Sequence, residues 1–158
     1  MEKIVVYGAG EFGTLIENLL TDDPDYQLGI FCDDDPAKIG STRDGISIIS
    51  PASIENWIQK HQITKAIAAI GNNKIRAEKY FLLKQIGFHI ITIIHSKALI
   101  DTRVEVGAGS VIEMGSAIHT RSTVGNNVFL GGEALIGHHN LIGDHVLIGG
   151  GAAFGGSV

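Results

Sequence analysis

Cysteine, aromatic residues and basic clusters are all scarce in this chain. Of 158 residues one is a cysteine, Cys32, which excludes an intrachain disulfide and fits a reducing compartment. Aromatic residues make up 6% of the sequence against 44% hydrophobic residues overall, so the core must be assembled from Ile, Val, Leu and Ala. The 12 Lys and Arg are outnumbered by 17 Asp and Glu and nowhere form a run. That argues against nucleic acid or an anionic membrane as the main partner, while a small anion held by backbone dipoles stays open. No apolar stretch approaches the roughly 18 residues of a spanning helix. The opening MEKIVVYGAG lacks the basic n-region and long apolar segment of a signal peptide. We expect a soluble cytoplasmic protein with no membrane partner.

What is present falls into two patterns. Residues 1–93 alternate strand and helix: KIVVY (3–7) as a strand, TLIENLL (14–20) as a helix, YQLGIF (26–31) as a second strand. IENWIQKH (54–61), KAIAAIG (65–71), NKIRAEKYFLLKQIG (73–87) and FHIITII (88–94) continue as helix, strand, helix and strand. Such alternation in short steps predicts an α/β domain with a parallel sheet of βαβ units.

Residues 94–158 change period to six. The first place of each hexad reads Ile94, Ile100, Val106, Ile112, Ile118, Val124, Leu130, Ile136, Ile142, Ile148 and Phe154. The second place is often glycine (Gly107, Gly125, Gly131, Gly137, Gly143, Gly149, Gly155), and the fifth is small, as at Ser110, Ser116, Ser122 and Ala134. Repeats of this kind mean a solenoid. Three hexads would close one triangular coil, with first-place aliphatics pointing inward. Residues eighteen apart would then stack at the roughly 4.8 Å spacing of paired strands. The glycines are expected at corners, where they permit torsions that β-branched residues resist. The last residues, FGGSV, are still in register; we expect the solenoid to continue beyond Val158, because solenoids need a closing terminal unit.

GAGEFG (8–13) lies between the first strand and first helix and fits G-x-G-x-x-G, with Asp33 and Asp34 following the second strand. In that setting the glycines let backbone N–H groups and a helix N-terminus approach a pyrophosphate, and a carboxylate can take ribose or base donors. The motif leaves open whether the ligand is NAD or a nucleotide-sugar. A tight turn beside a solvated loop would read the same way.

The hexads resemble those of left-handed parallel β-helix acyltransferases. With YGAGEFG, FCDDD, AIGNNKIR, IIHSKALI and LIGHHNLIGD, the whole chain is similar to nucleotide-sugar acetyltransferases that carry a Rossmann-like N-domain on a left-handed β-helix. The UDP-4-amino-sugar N-acetyltransferases of the bacillosamine pathway and the sialic acid O-acetyltransferases have this layout. The resemblance implies a 1–93 nucleotide-sugar-binding domain and a 94–158 acyltransferase domain. It further implies acetyl-CoA as acyl donor, a UDP- or dTDP-4-amino-sugar as acceptor, and a homotrimer with sites in the clefts between solenoids. Gly8, Gly10, Gly13, Asp33, Asp34, Gly71, Asn72, Asn73 and Arg76 would border the nucleotide-sugar. The chain by itself leaves N- and O-acetylation open, as well as a non-catalytic nucleotide-sugar-binding role.

Acetyl transfer to an amine needs the amine neutral, and a histidine is an efficient base near neutral pH. His138, third in its hexad, is placed at an outward corner between Thr120 and Gly156 in the neighbouring coils. The resemblance gives it the general-base role. His139 stands where the family commonly has Asp or Glu to orient the base, and Gly131 where many relatives have Asn. Glu113, one coil above Gly131, is a candidate to compensate. His119, His139 and His145 invite a metal reading, but the register puts His145 on another side, so no metal is expected. His61, His89 and His95 read as structural or solvent-facing.

Overall fold

A computed structural model describes residues 1–158, which divide into two compact units, Met1–Ile90 and Ile91–Val158. The first is an α/β Rossmann-like unit: β1 (Glu2–Tyr7), α1 (Glu11–Thr21), β2 (Tyr26–Cys32), β3 (Thr42–Arg43), β4 (Ile46–Ile49), α2 (Ile54–His61), β5 (Lys65–Ala68), α3 (Asn73–Ile86) and β6 (His89–Ile90). The strand order is β3-β4-β2-β1-β5-β6, parallel throughout except for the antiparallel β3–β4 edge. Continuous apolar runs suit the central strands because helices cover parallel sheets. Val5, Tyr7, Ile30, Cys32, Ala66, Ala68 and Leu83 accordingly share one buried cluster. The Asn72 side chain accepts from Ile75 N–H to cap α3, and Gly87 ends it in the left-handed conformation (φ 101°).

The second unit is a left-handed parallel β-helix. Eleven two-residue strands, β7 (Ile93–Ile94) through β17 (Ala153–Phe154), fall into three parallel sheets: β16-β13-β10-β7, β17-β14-β11-β8 and β15-β12-β9, where β8 is Leu99–Ile100, β9 Glu105–Val106, β10 Val111–Ile112, β11 Ala117–Ile118, β12 Thr123–Val124, β13 Phe129–Leu130, β14 Leu135–Ile136, β15 Leu141–Ile142 and β16 Leu147–Ile148. Pairs such as Val111↔Phe129 and Ile118↔Ile136 fix the eighteen-residue stacking. Ile112, Ile118, Val124, Leu130 and Ile136 fill the interior. Beside them Ser110, Ser116 and Ser122 are fully buried, each donating to a carbonyl of the next coil at Gly125, Gly131 and Gly137 (2.8, 2.9 and 2.7 Å). A buried hydroxyl is tolerated only when it has such a partner.

Two expectations are revised. The run FHIITII is not one strand: His89–Ile90 completes the first sheet and Ile93–Ile94 opens the β-helix. The glycines also do a different job from the one expected. Left-handed torsions fall at the fourth place of every hexad from Arg103 to Ser157, including Arg121, Asn127, Glu133, His139 and His145. Second-place Gly107 and Gly137 have ordinary torsions, but a Cβ there would lie 2.5 Å from the backbone of Gly125 and Gly155. Close coil stacking, not torsional freedom, requires them.

Candidate functional site

The first unit carries a cleft of about 420 Å³ at the carboxyl ends of its central strands. After β1 the chain builds outward through β2 and β4, then returns to the other side of β1 as β5. Such a reversal opens a crevice where open α/β sheets bind ligands. Its lining includes Tyr7, Gly8, Gly10, Asp34, Lys38 and Gly71.

The three loop glycines differ in what constrains them. Gly8 has φ +117°, and a Cβ there would meet Ala69 O at 2.3 Å. A Cβ on Gly13 would meet Gly8 O at 2.2 Å, so these two let β1, α1 and β5 come together. Gly10 has no neighbour within 4 Å of a Cβ. Its lack of a side chain keeps the cleft open rather than the fold closed.

The two aspartates also differ. Asp33 is nearly buried, with Oδ2 accepting from Ala9 N–H (2.7 Å) and Lys38 Nζ (3.2 Å), and Oδ1 from Asp35 N–H (2.9 Å). Burial raises its pKa, but the N–H groups of Asp35 and Ala9 and the Lys38 ammonium outweigh that and hold it below the usual carboxylate range. Asp33 thus ties the glycine loop to the loop after β2. Asp34 is half exposed; it accepts from Tyr7 Oη (3.0 Å) and pairs with Lys79 Nζ (2.8 Å). Burial, then the neighbouring Cys32 and the bond to Asp34, push the Tyr7 hydroxyl above its ordinary range, so it remains a donor. Asp34 keeps lone pairs directed toward N–H or O–H groups of a ligand.

Gly13, Asn72, Asn73 and Arg76 lie outside the cleft lining. Arg76 is buried, which lowers its pKa; its Nη1 donates to Ile70 O (3.0 Å) and its Nη2 to Asn73 Oδ1 (3.1 Å). With Asn72 at the cap, these residues set the loop on which Gly71 reaches the cleft. Lys38 and Lys79 were not singled out in the sequence. Lys79 on α3 looks like any exposed helix lysine until the fold sets it beside Asp34.

The second unit holds the histidine pair at an exposed corner. His138 Nδ1 is 2.9 Å from His139 Nδ1, with the rings nearly perpendicular. The Cε1–Nε2 edge of His138 sits over Gly156, where a Cβ would lie 2.4 Å from both atoms. Arg121, one coil away, brings Nη1 to 3.5 Å from His139 Nε2. The other histidines are engaged elsewhere: His119 Nδ1 is 3.3 Å from Asp101 Oδ2, and His145 Nδ1 is 2.8 Å from Asn127 Nδ2 at a different corner. Glu113 accepts from Gly132 N–H (2.9 Å), bracing successive coils away from the histidine pair.

The signature of the PglD N-terminal domain family matches residues 3–81, half of the chain. The chain belongs to this family. Beyond that PglD-type domain, several solved structures follow the fold over nearly the whole length. WeeI from Acinetobacter baumannii AYE has a TM-score of 0.85 at 23% identity, covering 100% of this chain and 74% of its own. The acetyltransferase domain of PglB from Neisseria gonorrhoeae FA1090 has a TM-score of 0.78 at 24% identity, covering 97% and 73%. PerB from Caulobacter crescentus has a TM-score of 0.75 at 18% identity, covering 99% and 84%. At these identities the likeness establishes the architecture of this PglD-family chain.

Proposed function

We propose that this protein transfers an acetyl group from acetyl-CoA to the amino group of a nucleotide-linked 4-amino-sugar, with His138 as general base. The observation that carries the reading is the corner imidazole itself. Nδ1 of His138 is held by His139, while Nε2 makes no hydrogen bond within the chain and belongs to an exposed ring that lies over Gly156. An amine nitrogen attacking the thioester carbon would pass its proton to that Nε2. The leaving CoA thiolate would then take a proton from the imidazolium, restoring the base.

The cleft supports the nucleotide part of the proposal. Gly10 leaves room at the start of α1, Asp34 offers a fixed acceptor, and Gly71 closes the far side. The structural relatives supply the chemistry by analogy: PerB is described in complex with CoA and GDP-perosamine, and the PglB domain in complex with acetyl coenzyme A. UDP-, dTDP- and GDP-linked amino-sugars are therefore all candidate acceptors. Exposed Leu99 and Leu141 on outer strand faces support assembly of copies, for which we propose a homotrimer. No helix is long and apolar enough to cross a membrane.

The test is thiol release from acetyl-CoA by the purified chain with each of the three 4-amino-sugar nucleotides. Release with at least one, lost in His138→Ala, is the expected result. Absence of release with all three amines and their hydroxyl analogues would sink the reading.

A further inference from the structure

His139 lies beside His138, and a second imidazole there brings a constraint that a carboxylate would not. A neutral imidazole has one bare nitrogen and one N–H. His139 turns Nδ1 to His138 Nδ1 at 2.9 Å and Nε2 to Arg121 Nη1 at 3.5 Å. Both contacts cannot be met by an acceptor. A guanidinium only donates and stays charged, so it favours the form of His139 with bare Nε2. The proton then sits on Nδ1 of His139 and points at Nδ1 of His138, which must accept. In that form His138 carries its own proton on Nε2, the nitrogen that the proposed base needs bare.

The opposite arrangement serves the chemistry. His138 Nδ1–H donates to His139 Nδ1, His138 Nε2 is bare, and His139 Nε2–H faces the Arg121 cation. Moving between the two arrangements changes the proton position on both rings and leaves the net charge unaltered. Arg121 makes no ion pair with a carboxylate, and His139 is the side chain its guanidinium meets. Both lie at the fourth place of stacked hexads with near-identical torsions, φ 60° and 58°, so the eighteen-residue ladder fixes them side by side.

From this geometry we infer that Arg121 is a positioning residue that sets the tautomer of the His138–His139 pair and biases the resting protein toward the form with His138 protonated on Nε2. The inference deepens the base assignment given above and rests on it for its catalytic consequence. The pair then alternates between a hydrogen-bond donor and a base at the same nitrogen. Anything that draws the guanidinium from His139 favours the base.

The experiment is long-range ¹H–¹⁵N correlation NMR of the imidazole nitrogens in the uniformly ¹⁵N-labelled chain, with His138 and His139 identified by single His→Gln variants. It compares wild type with Arg121→Ala and Arg121→Lys near neutral pH. The expected result is a protonated-type Nε2 on His138 and Nδ1 on His139 in the wild type. In Arg121→Ala both signals should shift toward the reverse assignment, and Arg121→Lys should retain the wild-type pattern. A wild-type His139 with bare Nδ1, or an Arg121→Ala spectrum unchanged at both rings, overturns the inference. No substrate is needed, so failure of the acetyl-transfer reading would show separately as absent thiol release with an intact tautomer response. With turnover, Arg121→Ala should raise kcat about fivefold at unchanged KM, the factor that corresponds to about 1 kcal/mol for an exposed charged contact. A tautomer swap with a lower kcat would overturn the catalytic consequence.

Discussion

Replacing Gly8 and Gly10 separately by alanine should give opposite outcomes, although they are two residues apart in one loop. At Gly8 the new methyl meets Ala69 O at 2.3 Å with φ held at +117°. The loop cannot yield easily, because Gly8 N–H donates to Cys32 O and Ala69 N–H to Tyr7 O, both at 2.7 Å. A left-handed torsion costs an L-residue about 1–2 kcal/mol, and forcing β1 from β5 adds about 1–3 kcal/mol of overpacking. The sum, about 2–5 kcal/mol, is a large part of the roughly 5–15 kcal/mol that holds a domain folded. Gly10 is extended (φ −96°, ψ −158°), and its Cβ would meet nothing. Gly10→Ala should therefore stay within about 0.5 kcal/mol of wild type and instead weaken nucleotide-sugar binding by crowding the cleft. Trp57, the one tryptophan, lies in α2 against the core of the first unit, so its fluorescence in urea reports that unit's unfolding. Equal midpoints for Gly8→Ala and wild type, or an equally large loss for Gly10→Ala, would refute the steric argument.

Gly156→Ala should displace the His138 ring, whose Cε1 and Nε2 occupy the position of the new methyl, lowering kcat about tenfold or more with little change in KM; steady-state thiol release measures this. His139→Glu should raise kcat about five- to tenfold, because a hydrogen bond to a charged acceptor exceeds a neutral one by roughly 1 kcal/mol. Glu133 already holds the same place with φ 59°, so the backbone accepts the change. Asp33→Asn should cost about 1–3 kcal/mol at pH 7. Because the folded pKa of Asp33 lies below its unfolded value, its contribution is present above the unfolded value near 4 and is lost as pH falls through the folded one. The variant's urea midpoint should accordingly lose less on acidification than wild type's. Cys32 is fully buried, and burial, with Asp34 and Asp33 nearby, pushes its thiol up to about 12; a disulfide reagent should label it only in urea, leaving the thiol-release assay without protein background.

The repeat was the most legible part of the fold, because first-place aliphatics such as Ile112 and Ile136 report burial directly and the eighteen-residue ladder follows from three sides per coil. The glycine loop was legible for a similar reason: KIVVY, GAGEFG and FCDDD follow one another in chain order, whereas the strand order β3-β4-β2-β1-β5-β6 came only from the structure. Where period carries no information, the sequence fell silent. Gly107 and Arg121 look alike as corner residues, yet one serves backbone clearance and the other a left-handed torsion, and only contact across coils separates the two. Asp33 and Asp34 are likewise adjacent and chemically identical; the N–H groups that engage Asp33 come from Ala9 and Asp35, and the lysine on Asp34 comes from α3. The division of FHIITII was hidden because an unbroken apolar run satisfies a buried strand in either unit.

The columns of left-handed fourth-place residues, one at each corner of the coil, have an evolutionary consequence. Arg103, Arg121, Asn127, Glu133, His139, His145 and Ser157 show that one backbone socket accepts cations, an acid, an amide, imidazoles and a hydroxyl. The interior is carried by other places of the hexad, so a point mutation at a socket can invert local charge while the coil beneath is unchanged. Each exchange is also judged against the same two neighbours, one coil before and one after. New chemistry can therefore be sampled one residue at a time along a ladder whose rungs do not move.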